Sequence, residues 1–171
     1  MTRQLLTGRL ERTLPPDWDL AKRVFDDSKR FFLEHGLDAD EAYAMAMTSS
    51  ELLENAVKYG DWSRDAAEQI TYLAEIEGRA VTVEVQSPVA DDPGALRKLD
   101  DQIQWIRGFQ SPFEAYVERL KLLSSQPYRE GQSGLGLIRI AYEARGLVDF
   151  YVTPDRRLAM SAVYQPSGLF P

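Results

Sequence analysis

The chain has 171 residues, 44% of them hydrophobic and 11% aromatic, enough to fill the core of a single domain spanning 1–171, with no dividing linker. A formal net charge of −7 and a pI near 4.8 argue against nucleic acid or an anionic membrane surface as the main partner, since both select basic patches. The absence of cysteine excludes disulfides and thiolate metal sites, and a single histidine, His35, argues against a zinc centre or a Ser-His-Asp triad.

Met1 to Leu6 lacks the apolar core of a signal peptide, and no window approaches the roughly 20 apolar residues of a membrane span, so a cytoplasmic protein is expected. Leu5 to Leu14 alternates irregularly and reads as an opening strand ended by Pro15-Pro16. Asp17 then caps a helix running to about His35, with Leu20, Val24, Phe31 and Phe32 as its buried stripe and Gly36 as its stop. His35 falls at that helix end, where a capping role is expected of it. Asp38-Ala39-Asp40-Glu41 has the form of a capping box and starts a second helix that ends at Gly60.

Gln69 to Glu75 and Arg79 to Val85, flanking Glu77-Gly78, read as an antiparallel hairpin. Trp62 in the loop before it could cover a bound base or pack the loop onto the core. Asp91-Asp92-Pro93-Gly94 has the chemistry of a turn. Residues 95–126 read as two helical segments broken around Gly108 and Pro112, and a last hairpin pairs Leu147 to Thr153 with Leu158 to Tyr164. The fold class expected is an α/β (α+β) two-layer sandwich, a mixed but mainly antiparallel sheet with helices on one face.

Two stretches carry chemistry. On the second helix Glu51, Glu54, Asn55 and Lys58 share about a third of the circumference at 100° per residue, while Leu52, Leu53, Ala56, Val57 and Tyr59 fill most of the rest. Two turns back the same arc carries Ala44 and Met47, the pattern of a pocket wall more than of a solvated face. Glu51, Asn55 and Lys58 at i, i+4 and i+7 put a carboxylate, an amide and an ammonium on one side, a set able to accept a proton, ligate Mg²⁺ and steady phosphate charge. A surface pair of Glu54 with Lys58 is the plain alternative. The other stretch is Gly131-Gln132-Ser133-Gly134-Leu135-Gly136-Leu137, followed by the apolar Ile138-Arg139-Ile140-Ala141. Its three glycines allow close backbone approach to a ligand at a helix start, or simply a flexible loop.

Together these stretches resemble the N-box and the second glycine box of the GHKL superfamily of ATPases and kinases, named for gyrase, Hsp90, histidine kinases and MutL. The resemblance covers residues 5–165 and implies the Bergerat nucleotide-binding fold, with ATP and Mg²⁺ as its ligands. It implies Glu51 as general base, Asn55 as Mg²⁺ ligand, Lys58 as a phosphate contact and Tyr59 among the nucleotide-binding residues. Gly131, Ser133, Gly134, Leu135 and Gly136 match the phosphate cradle, with Arg129 just before it and 107–130 matching the ATP lid as a helical insert. One box departs from the pattern. Where the family has Asp-x-Gly-x-Gly after a strand, this chain has Ser87 for the Asp and Val89 and Asp91 for the glycines, which leaves adenine recognition open, with Asp91 or Asp92 of the following turn as the alternative source of the carboxylate.

The arrangement is similar to stand-alone bacterial serine kinases of the anti-sigma-factor type, especially their SiaB-like relatives with a degenerate first box. That implies a serine/threonine kinase acting on a small STAS-like or anti-sigma-antagonist protein in a partner-switching pathway, with a homodimer left open. The competing expectation is a nucleotide-independent switch module that docks a partner on the helical insert, for which the missing Asp at 87 speaks. A plain ATPase is the third, disfavoured because no second domain is present to use the energy.

Overall fold

The structure, a computed structural model, describes residues 4–127 and 134–166. Ten elements follow in chain order: β1 (Gly8–Leu14), α1 (Trp18–Glu34), α2 (Ala39–Tyr59), β2 (Ile70–Glu77), β3 (Ala80–Pro88), α3 (Pro93–Arg107), α4 (Pro112–Ser124), α5 (Gly136–Tyr142), β4 (Leu147–Val152) and β5 (Arg157–Tyr164). The strands form one sheet in the order β1-β2-β3-β5-β4, and each of the four pairings is antiparallel. This is the two-layer α+β sandwich the sequence predicts.

Local chemistry sets the boundaries. Asp17 caps α1 by accepting from the Asp19 N–H at 2.9 Å, and Gly36 leaves the helix at φ +99. Val24, Phe31 and Phe32 are buried as expected, joined by Ala21 and Ser28, while Leu20 is only half-buried. His35 caps the C-terminus, its Nδ1 2.7 Å from the Phe31 carbonyl oxygen and its ring against Phe31. At α2 the capping box is complete: the Asp38 carboxylate accepts from the Glu41 N–H at 2.9 Å and the Glu41 carboxylate from the Asp38 N–H at 3.0 Å.

The sheet is buried on one side. Ile70, Tyr72, Ala74 and Ile76 of β2 and Val81, Val83, Val85 and Ser87 of β3 face the helices, with half-buried residues between them. Tyr72 fixes α1 and α2 against this face, because its hydroxyl lies 2.8 Å from Ser28 Oγ and 2.9 Å from Ser49 Oγ in the dry interior. The polar face is held by arginines. Arg157 binds Glu68 at 2.7 Å and donates to the Gln69 and Gln86 carbonyls, while Arg64 donates to the Arg156 carbonyl at 2.9 Å. These bonds anchor the segment after α2 to the β4–β5 turn, and with the Val89 N–H to Arg156 carbonyl bond they set the course of the chain leaving β3.

The first hairpin turns at Gly78-Arg79, one residue later than the sequence suggests, with Gly78 at φ +60. Trp62 donates from Nε1 to the Val57 carbonyl at 2.9 Å and packs half-buried against the core, so of its two expected roles it takes the packing one. Among the described residues no helix is long and apolar enough to cross a membrane.

Candidate functional site

A cavity of about 430 Å³ opens between α2, the ends of β3 and β5, α3 and the segment entering α5. Its walls are largely apolar, with Leu52 and Ala56 on one side and Val85, Leu158 and Met160 on the floor. Asn55, Tyr59, Ser87, Gly134 and Gly136 line it as well. The structure therefore gathers the end of α2 and the glycine segment, 75 or more residues apart in sequence, around one hollow.

The contact between the two motifs is tight. A Cβ placed on Gly136 would lie 2.6 Å from Glu51 Oε2 and 3.8 Å from Asn55 Nδ2, so any larger residue there would displace the Glu51 carboxylate. Gly134 holds φ +59, and a Cβ there would lie 2.5 Å from an Arg119 guanidinium nitrogen contributed by α4. Gln102 of α3 donates to the Gly134 carbonyl at 3.2 Å and ties the opposite wall to the same backbone.

Glu51 sits beside this junction with its side chain only 16% exposed. Arg139, on α5, reaches it with Nη1 2.5 Å from Oε1, and Arg139 is also held by Glu143 one turn later, Nε to Oε1 at 3.2 Å. Burial pushes the Glu51 carboxyl above its ordinary range; the Arg139 charge opposes this, and the Glu54 and Glu143 charges add to the rise. The Arg139 guanidinium is raised as well: desolvation lowers it, but the hydrogen bond to Glu143 and the Glu51 charge outweigh that.

Other expected residues stand apart. Lys58 is exposed, its Nζ 4.9 Å from the centre of the Tyr59 ring, and is not among the cavity-lining residues; Lys98 of α3 is. Tyr59 is 64% exposed, so it forms a rim and not a buried wall. Arg129, Gly131 and Ser133 lie outside the described residues. Asp91 pairs with Arg156 at 2.9 Å, and Asp92 caps α3 by accepting from the Gly94 N–H at 2.9 Å while lining the cavity edge, so both have structural employment. Among the described residues no group of three or more His, Asp or Glu gathers as a metal cage.

The sequence offers Arg139 as a cation able to reach phosphates and residues 95–126 as two helical segments; the structure pairs Arg139 with Glu51 and makes the first of those segments, α3, a wall of the cavity. Arg139 follows Gly136 by three residues, one helical turn, so the two share a face of α5 and both meet Glu51. The wall made by α3 carries no motif; its start at Pro93 was hidden by reading Asp92-Pro93-Gly94 only as a turn.

No protein-family model and no curated protein matches the chain. A chain in the crystal structure of the SiaB–SiaC complex from Pseudomonas aeruginosa shares its fold, with a TM-score of 0.67 at 19% sequence identity over 94% of this chain and 90% of that one.

Proposed function

We propose that the protein is a Mg-ATP-dependent serine/threonine protein kinase of the GHKL type that acts on a small partner protein in a partner-switching pathway. The observation that carries this reading is the approach of Gly136 to Glu51 and Asn55 at the edge of an apolar cavity. It supports a base, an amide ligand and a bare backbone meeting at the place where a nucleotide's phosphates would leave the hollow. The fold shared with a chain of a SiaB–SiaC complex supports a protein partner.

The residues fit the ligands. The apolar walls suit a base and ribose, and the Gly134–Gly136 backbone leaves room that a side chain would fill. Asn55 offers its amide oxygen to Mg²⁺, which when bound neutralises phosphate charge and needs few protein ligands because phosphate oxygens supply the rest. Glu51, its affinity for protons raised by burial, takes the proton from the acceptor hydroxyl. The acceptor oxygen then bonds to the γ-phosphorus, the bond from that phosphorus to the β–γ bridging oxygen breaks, and its electron pair leaves with ADP. To free Glu51, Arg139 can stay on Glu143, so its charge is not orphaned.

The test is transfer of radiolabelled γ-phosphate from ATP to soluble proteins of the source cells, wild type beside Glu51→Gln. Label on serine or threonine of a small acceptor, lost in the variant, supports the reading. Equal labelling by both proteins overturns the role of Glu51.

A second reading is a docking module without catalysis. The closed Glu51–Arg139 pair favours it, as do the exposed Phe113, Leu120 and Leu122 of α4. Under that reading the acceptor is bound without being labelled.

A further inference from the structure

Ser87 is 5% exposed, lines the cavity and sits on the helix-facing side of β3 in line with Val81, Val83 and Val85. Its backbone pairs with Leu158 of β5, whereas its hydroxyl has no hydrogen-bond partner among the described residues. A buried hydroxyl without a partner is a cost that a ligand bonding there would remove. Val85, Leu158 and Met160 surround it in the ladder and are apolar, so the hydroxyl is the polar feature of that part of the wall. Of the other polar side chains lining the cavity, the Gln102 amide is bonded to the Gly134 carbonyl, Asp92 caps α3 at the exposed edge, and Asn55 stands on α2 beside Gly136.

We infer, resting on the reading of the cavity as a purine-nucleotide pocket, that Ser87 sets its base selectivity and that the pocket takes 6-oxopurine nucleotides as well as 6-aminopurine ones. The reason is the sense of the bond. A carboxylate in this position only accepts, so it would select an amino group and repel a carbonyl oxygen. A serine hydroxyl turns about its C–O bond and either accepts from a 6-amino group or donates to a 6-oxo group. Discrimination of several powers of ten arises where the wrong ligand alone leaves a buried polar group unpaired, and at the 6-position neither purine does. The ring nitrogen beside the 6-substituent also changes sense between the two bases, and the apolar Val85 and Met160 favour neither form.

Inosine triphosphate is the clean probe, because it differs from ATP at the 6-position and the adjoining nitrogen alone. Calorimetric titration of the Mg²⁺ complexes of both into wild type should give dissociation constants within about tenfold of each other. Ser87→Ala should weaken both by a similar factor, about fivefold. Ser87→Asp should retain ATP and weaken inosine triphosphate by about a hundredfold or more. Thermal melting checks that each variant is folded, and the Ser87→Ala comparison stands if Ser87→Asp is not. A wild-type preference for ATP above a hundredfold, unchanged in Ser87→Ala, would overturn the inference while leaving the nucleotide site intact. Binding of neither triphosphate by wild type would instead refute the nucleotide reading on which it rests.

Discussion

Arg139 Nη1 lies 2.5 Å from Glu51 Oε1, and Gly136, one turn earlier on α5, lies against the other oxygen of the same carboxylate. The helix that follows the glycine segment thus holds the acidic side chain of α2 from two directions. Gly136 and Arg139 stand one turn apart on α5, so the glycine segment that lines the cavity and the ion-pair partner of Glu51 belong to one element.

Removing the guanidinium should therefore be felt at Glu51. Arg139 opposes the burial that raises the carboxyl, so Arg139→Ala should raise it further and move the alkaline-rising limb of the pH–transfer profile to higher pH. The pair is partly solvated, with Arg139 36% exposed, and its loss should cost about 1 kcal/mol in urea unfolding. A profile that does not move would separate Glu51 from the proton transfer.

The same carboxyl makes stability depend on pH in a stated direction. Its folded value lies above its unfolded one, so the native state binds more protons between them, and stability falls as pH rises through that window. The contribution is complete below the ordinary glutamate range and lost above the raised value. Glu51→Gln should flatten this slope in urea unfolding measured from pH 4 upward, with wild type losing stability relative to the variant as pH climbs. The opposite trend would mean that the ion pair outweighs burial.

Gly136→Ala should separate site from fold. The clash is with the end of the Glu51 side chain, which can rotate away, so the melting temperature should stay within a few degrees of wild type. Rotation would break the Glu51–Arg139 contact and fill the space beside Asn55, and nucleotide affinity should drop at least about tenfold, a loss of 1.4 kcal/mol or more. Unchanged affinity would remove the glycine segment from the site.

Tyr72→Phe should do the reverse. Its hydroxyl joins Ser28 and Ser49 where no water reaches, and its loss should cost about 1–3 kcal/mol of unfolding free energy while leaving nucleotide affinity unchanged. Reduced affinity in a folded variant would mean that the network also positions α2 for binding.

Much of this was legible from local chemistry. Asp17, the Asp38–Glu41 box and Gly78 mark boundaries because caps and tight turns are decided by a few neighbouring residues. Of the narrow polar arc of α2, Asn55 lines the cavity and Glu51 is shielded beside it, whereas Glu54 and Lys58 are exposed and line no part of it. What the sequence could not supply were partners set by tertiary packing: nothing local says that Arg139 meets Glu51 across 88 residues, or that Lys98, not Lys58, reaches the cavity. Periodicity places a side chain on a face, but the length and bend of its neighbours decide what it touches.

The central claim, a Mg-ATP site built by α2 and the glycine segment, is tested most directly by calorimetric titration of ATP with and without Mg²⁺ into wild type and Asn55→Ala. The account predicts saturable Mg²⁺-dependent binding by wild type and its loss in the variant, with both proteins melting alike. Equal Mg²⁺-dependent binding by the two proteins, or none by wild type at millimolar ATP, would contradict it.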